Sequence, residues 1–209
     1  MQHISHSSLI ETLEITFGET QRIDLHISRM QRSGESLGFR SPNMDEVVRQ
    51  IKLSLSDYNL KEHPSVKCTI TYHTTVENVK LTPYTARTIK SLKIFDCTDN
   101  LDYRYKWADR NCFLPYSTLC HNDQEPLFFK NGLLTDTTYT NIVVEIKGRG
   151  LLTPAAPLLQ GTRRQLYINQ GIIKPADLSI DDCLSAENIH LINSMLPLGT
   201  VVLSPLSIS

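Results

Sequence analysis

Long apolar runs are missing from this chain. No stretch approaches the roughly 18 residues that a membrane-crossing helix needs. An excess of positive charge is missing too. The 21 lysines and arginines stand against 22 aspartates and glutamates, a net charge of −1. DNA or RNA binding therefore has no electrostatic footprint here. Paired cysteines are also lacking. The five present (Cys68, Cys97, Cys112, Cys120 and Cys183) are an odd number with no CxxC, which argues against a disulfide framework or a structural zinc site. The seven histidines show no metal-ligand spacing. No GxSxG, GxGxxG or GxxxxGK[ST] motif occurs, so serine-hydrolase and nucleotide-binding readings have no support. Met1-Gln2-His3-Ile4-Ser5-His6 lacks the basic and then apolar regions of a secretory signal. The expectation is a soluble, cytoplasmic, catalytic protein that binds neither nucleic acid nor membrane and holds no metal.

What is present divides into two parts. The 209 residues, 40 % hydrophobic and 21 % charged, suit one large domain or two small ones with a real core. Leu9–Ile15 alternates as a strand, with Leu9, Glu11, Leu13 and Ile15 on one face. Phe17-Gly18-Glu19-Thr20 reads as a turn into a short strand, residues 20–23, and Asp24 as the N-cap of a helix to about Gly34. Asn43 caps a second helix whose apolar face is Met44, Val47, Val48, Ile51 and Leu55, with Asp45 and Glu46 suited to its positive end. Strands follow at 66–72, 76–81 and 91–95. The polar run Cys97-Thr98-Asp99-Asn100 marks a boundary, giving domains 1–98 and 99–209.

The second part reads as mostly β. Pro126–Lys130 and Leu133–Asp136 flank Asn131-Gly132, the strongest hairpin signal in the chain. Thr140–Ile146 is β-rich, and Lys147-Gly148-Arg149-Gly150 turns it into Leu151–Thr153. A helix-like stretch follows Gly161 to about Asn169, and 189–193 reads as a late strand.

Most candidates for chemistry lie in this second part. Lys106 follows a strand-like stretch among Tyr103, Tyr105 and Trp107. A lysine desolvated by aromatics has a lowered pKa and can act as a nucleophilic amine. The plain alternative is a solvent-facing lysine with a covered stem. Asp136 is either a partner for a buried cation or a turn aspartate accepting local backbone bonds. Gly161-Thr162-Arg163 precedes a helix and offers free N–H groups of the kind that hold phosphate. Arg29 on the first helix either pairs with such a phosphate or is an exposed helix arginine.

The order of these features resembles a known family. The landmarks are Glu11-Thr12-Leu13, His26-x-x-Arg29-Met30 and Asp102-Tyr103-x-Tyr105-Lys106-x-x-Asp109-Arg110. Lys130–Thr137, Asn141-Ile142 and Leu152-Thr153-Pro154 follow, then Pro157-Leu158-Leu159-x-Gly161-Thr162-x-Arg164 and Asn193-Ser194-Met195. Spanning nearly the whole chain, they resemble the class IV pyridoxal-phosphate (PLP) enzymes. That group holds the branched-chain and D-amino-acid aminotransferases and 4-amino-4-deoxychorismate lyase.

The resemblance implies an α+β fold, with a small α/β domain and a larger β-rich pseudo-barrel that binds PLP. By the same resemblance Lys106 is the lysine in Schiff-base linkage to PLP, and Asp136 stands where the family usually has a glutamate facing the pyridine nitrogen. Arg29 matches the phosphate-binding arginine, and Gly161, Thr162 and Arg163 the helix-end phosphate cradle. Here Thr162 and then Arg163 replace the family's aliphatic residue and hydroxyl residue. The implied substrate is a small amine, and the implied assembly a homodimer. Elimination to pyruvate and 4-aminobenzoate, as by 4-amino-4-deoxychorismate lyase, is favoured by the Asn193-Ser194-Met195 ending and the short phosphate loop. Transamination of a D- or branched-chain amino acid and a non-catalytic relative are the alternatives. Arg87, His73 and Arg104 are candidate receptors for a substrate carboxylate.

Overall fold

The computed structural model describes residues 8–56, 58–59, 65–97 and 101–209. The amino-terminal hexapeptide, and residues 98–100 of the expected boundary, lie outside them. The chain divides into two compact units, residues 1–85 with 105–109 and residues 86–104 with 110–209. The division differs from the 98/99 boundary because the last strand expected of the first part, 91–95, pairs in the second sheet.

In the first unit, alternation along β1 (Leu9–Thr16) buries every second side chain: Leu9, Glu11, Leu13 and Ile15. Phe17 and Gly18, both at positive φ, turn β1 into the two-residue β2 (Glu19–Thr20), shorter than the expected strand. The first helix, α1 (Ile23–Leu37), starts two residues earlier than an Asp24 cap predicts. Arg22 is its N-cap, tied through its guanidinium to Glu14 at 2.9 Å. Asp24 instead lies in the first turn, where a negative charge suits the helix dipole. The helix continues past Gly34 and closes at Gly38. The second, α2 (Met44–Leu55), is capped by the Asn43 side chain, which accepts from the N–H of Glu46 at 2.9 Å.

Both helices are inserted between strands of a single antiparallel sheet. β3 (Ser65–Tyr72) pairs with β1 over its whole length and with β4 (Val76–Pro83) on its other side, giving the order β2-β1-β3-β4. Leu13, Met30, Val47, Ile51, Cys68, Ile70 and Tyr72 form its core. Each such buried apolar side chain contributes on the order of 1.5–3 kcal/mol.

The second unit is an eight-stranded mixed sheet. β5 (Ser91–Asp96) lies parallel to β6 (Gln124–Lys130). β6 turns through Asn131 (φ 53) and Gly132 (φ 78) into β7 (Leu133–Thr137), the two positive φ values a tight hairpin demands. β7 meets β8 (Asn141–Ile146) at the single residue pair Asp136↔Asn141. β9 (Gly150–Pro154) pairs with β8, and β10 (Lys174–Ala176) runs parallel to β9. β11 (Asn188–Ile192) joins β8 and the edge strand β12 (Val201–Leu203). Three short helices complete this unit: α3 (Leu114–Ser117), α4 (Thr162–Asn169) and α5 (Ile180–Leu184). Phe113 packs between Tyr103 and Phe128, with ring centroids 4.7 and 5.8 Å away. α3, α5, β10 and β12 are too short to leave a period in the sequence.

Candidate active site

Lys106 is not preceded by a strand. Residues 105–109 run irregularly beside β1, where the Ile10 N–H donates to the Lys106 carbonyl and the Ala108 N–H to that of Ser8, both at 2.9 Å. Trp107 bridges to Leu9. Lys106 is half-buried. Tyr105 and Trp107 flank it in sequence and meet edge to face at 5.8 Å, whereas Tyr103 belongs to the second unit.

One residue along β1 from Ile10, Glu11 is wholly buried. It accepts from Nε of Arg29 at 2.8 Å through Oε1, and from Nη2 of Arg29 and Nδ1 of His26 through Oε2. His26 and Arg29 stand one turn apart on α1, so the helical spacing delivers both to one carboxylate. Burial alone raises the Glu11 carboxyl, but the Arg29 charge and the hydrogen bonds from His26 and Arg29 pull it down to about 2. Burial lowers the pKa of His26, with the Glu11 contacts opposing. His26 is therefore neutral near pH 7, with its proton on Nδ1, the nitrogen facing the ionised acceptor. Arg29 is thus buried and doubly held, not an exposed helix arginine.

The second unit holds Asp136, Gly161, Thr162 and Arg163. Asp136 is 3 % exposed. Its Oδ1 accepts from the Asn141 side chain at 2.8 Å and its Oδ2 from the N–H of Leu159 at 2.9 Å. Asn141 also donates to the Leu159 carbonyl at 2.9 Å. Burial pushes the Asp136 carboxyl up to about 7, against the Leu159 and Asn141 hydrogen bonds and the Arg164 charge. A buried carboxylate bonded only to neutral donors favours a proton or a nearby cationic N–H. A protonated pyridine nitrogen is such a group, so Asp136 fits that role chemically.

The start of α4 is equally constrained. A Cβ on Gly161 would lie 1.9 Å from Oδ1 of Asn141, so only glycine fits at this N-cap. Having no side chain, Gly161 gives α4 no side-chain cap of its own, and such a helix start suits an anion. The Arg163 side chain turns elsewhere, donating through Nε to the Asn193 carbonyl and through Nη2 to that of Ser194, both at 2.7 Å. Asn193 Oδ1 accepts from the N–H groups of Met195 and Leu196 at 2.8 and 3.0 Å. That explains the Asn193-Ser194-Met195 landmark as a fastened turn.

Of the candidate carboxylate receptors, Arg104 is ion-paired with Asp102 at 2.7 Å, and His73 stacks on Phe39 at 4.1 Å. Arg87 contacts Glu125 and Tyr139. Residue-by-residue reading missed the roles of Glu11, Glu125 and the Leu159 amide. Glu11 had a signal, its place on the apolar face of β1. The other two had none. Among the described residues no group of three or more His, Cys, Asp or Glu could hold a metal ion, and no helix is long and apolar enough to cross a membrane.

No protein-family model matches the chain. It is 27 % identical over 188 residues to an uncharacterized protein of Haemophilus influenzae, covering 90 % of this chain and 97 % of that one. Among solved structures it is similar to a candidate 4-amino-4-deoxychorismate lyase from Haemophilus somnus, with a TM-score of 0.78 and 26 % identity over 95 % of this chain and 100 % of that one. A candidate amino-acid aminotransferase from Mesorhizobium loti shares the fold at a TM-score of 0.80 and 21 % identity, over 97 % and 99 % of the two chains. So does the PLP-bound form of a hypothetical aminotransferase from Mycobacterium tuberculosis, at 0.75 and 17 % over 95 % and 80 %.

Proposed function

We propose that the chain, which shares the fold of candidate class IV PLP-dependent lyases and aminotransferases, binds PLP and acts on a small amine through Lys106. Bound PLP supplies an electron sink when a substrate Cα–H bond breaks. The Lys106 amine would hold the group and would serve as general acid and base for the Cα proton. Asp136 would partner the pyridine nitrogen and favour its protonated form. By the resemblance, Arg29, whose guanidinium Glu11 holds, and the amides of Thr162 and Arg163 would be phosphate-binding groups. The observation that carries this reading is Asp136, a buried carboxyl bonded only to neutral donors at the position where the family places its ring-nitrogen partner.

The reaction we propose is elimination, giving pyruvate and 4-aminobenzoate from aminodeoxychorismate. It is supported by the likeness to the Haemophilus somnus candidate lyase over 95 % of this chain. Transamination of an amino acid is the second reading, supported by the Mesorhizobium loti candidate aminotransferase at a TM-score of 0.80. A homodimer belongs to the same proposal, and light scattering on the purified protein tests it.

The absorption spectrum with added PLP, before and after borohydride, tests the cofactor. A yellow protein that bleaches and leaves a pyridoxyl group on Lys106 in peptide mapping is the expected result. A colourless protein with unmodified Lys106 sinks the assignment. Pyruvate release from aminodeoxychorismate, against amino transfer to a keto acid, then decides the reaction.

A further inference from the structure

The turn that joins β7 to β8 is fastened at every polar group of one residue. Thr137 and Thr140 close the turn itself: the Thr137 N–H donates to the Thr140 carbonyl and the Thr140 N–H to the Thr137 hydroxyl, both at 3.0 Å. Thr138 lies between them and takes other partners. Its N–H donates to Oε1 of Glu125 at 3.2 Å, and its hydroxyl donates to the same oxygen. Its carbonyl accepts from Nη2 of Arg110 at 2.6 Å. One residue on, the Tyr139 carbonyl accepts from the Asn193 side chain at 3.3 Å.

Register explains why Glu125 holds the turn. Leu127 pairs with Thr137, the last residue of β7, so β6 runs on beyond the end of its partner. Pro126, next along β6, has no N–H with which to extend that ladder, and the Glu125 side chain takes up the Thr138 amide instead. Glu125 is 2 % exposed. Its Oε2 accepts from Nη1 of Arg87 at 3.2 Å. Burial raises its pKa, against the Thr138 bonds and the Arg87 and Arg110 charges. Burying a carboxyl is costly unless its oxygens are bonded, so the fold keeps Thr138 against it. Asp136 and Asn141, which flank the turn, are the residue pair that joins β7 to β8. A displaced Thr138 therefore displaces the strand end that carries Asp136.

We propose that Glu125 is a positioning residue: by holding Thr138 it fixes the β7–β8 turn and keeps the Asp136 carboxyl bonded to Asn141 and Leu159, in place for the cofactor's ring nitrogen. Arg110 braces Thr138 at its carbonyl. Arg87 supplies the opposite charge that favours the ionised, acceptor-only form of Glu125. The inference rests on the reading that Asp136 partners the ring nitrogen, whereas the hold on Asp136 itself belongs to the chain without cofactor.

The test measures, by denaturation of the cofactor-free protein, the share of the pH dependence of stability that Asp136→Asn removes in several backgrounds. Comparing the pair within each background cancels the titration of Glu125 itself. In wild type that share falls between pH 3.8 and about 7. Glu125→Leu fills the space but cannot accept a hydrogen bond, so the share should shrink as Asp136 returns toward its ordinary value. Glu125→Gln keeps an acceptor oxygen for Thr138 and should retain it. Thr138→Val, which withdraws the hydroxyl bond alone, should lose part of it and carries the test if Glu125→Leu does not fold. Equilibrium dialysis then reads PLP affinity. It should be about 10- to 100-fold weaker in Glu125→Leu, the value of a hydrogen bond to a charged group, and near wild type in Glu125→Gln. An undiminished Asp136 share in folded Glu125→Leu or in Thr138→Val overturns the proposal. So does wild-type PLP affinity in Glu125→Leu, or a Glu125→Gln protein as impaired as Glu125→Leu. If wild type takes up no PLP, the functional reading fails by itself, and the cofactor-free comparison still decides whether Glu125 positions Asp136.

Discussion

Asn141 donates to Asp136 at 2.8 Å across the single residue pair that joins β7 to β8, and donates again at 2.9 Å to the Leu159 carbonyl. One amide thus fastens the carboxyl and the loop before α4 to each other. Burial holds the Asp136 pKa near 7 against an ordinary value of 3.8, so between these limits the folded state binds more protons than the unfolded. The stabilisation is complete below the ordinary value and is lost as pH rises through about 7. Chemical denaturation of the cofactor-free protein should show stability falling over this window by up to about 1.4 kcal/mol per pH unit. Asp136→Asn should remove that slope. An unchanged slope in the variant places the proton elsewhere.

Gly161 and Asn141 meet too closely to admit another residue. Gly161→Ala puts a Cβ 1.9 Å from Oδ1 of Asn141, so Asn141 must swing away and release Asp136 and Leu159. Overpacking of this kind costs about 1–3 kcal/mol, and lost hydrogen bonds add to it. A melting temperature several degrees below wild type and weaker PLP uptake are expected together. Wild-type values for both mean that the loop tolerates displacement.

Much of this arrangement was legible before the fold was known, for identifiable reasons. Alternation along β1 already set Glu11 among leucines and an isoleucine, and such a position requires a partner. The spacing of His26 and Arg29 on one helix supplied it. Asn131-Gly132 encoded its hairpin locally through two positive φ values. Contacts made across strands were not legible. Nothing near Glu125 announces that it will hold Thr138 and Arg87, 13 and 38 residues away. The side-chain path of Arg163 to the carbonyls of Asn193 and Ser194, 30 and 31 residues on, is equally silent. Asp24 misled because a good capping residue also suits the first turn of a helix.

The role proposed for Lys106 separates cleanly from that of its aromatic neighbours. Lys106→Ala should abolish borohydride-fixed PLP. Tyr103→Phe should retain it, because the ring that packs 4.7 Å from Phe113 is preserved. Mass mapping of both reduced proteins reads the outcome. Label that persists in Lys106→Ala means another amine carries the cofactor.

The buried cluster of Glu11, His26 and Arg29 should govern acid stability in the opposite sense from Asp136. The Glu11 pKa is depressed from 4.5 to about 2, so its contribution is present above 4.5 and lost as pH falls toward 2. His26, with its pKa lowered from 6.5 by burial, resists protonation in the folded state, so stability also declines as pH drops below 6.5. Glu11→Gln keeps the shape of the side chain but leaves the Arg29 charge buried without its counterion. Breaking a buried pair in this way costs about 3–5 kcal/mol near neutral pH. Because the variant lacks the Glu11 titration, its stability should change less than that of wild type between pH 4.5 and 2. Urea denaturation at a series of pH values measures both effects. A neutral-pH loss with wild-type acid sensitivity would show that another carboxylate controls acid unfolding, whereas the combination expected here ties it to Glu11.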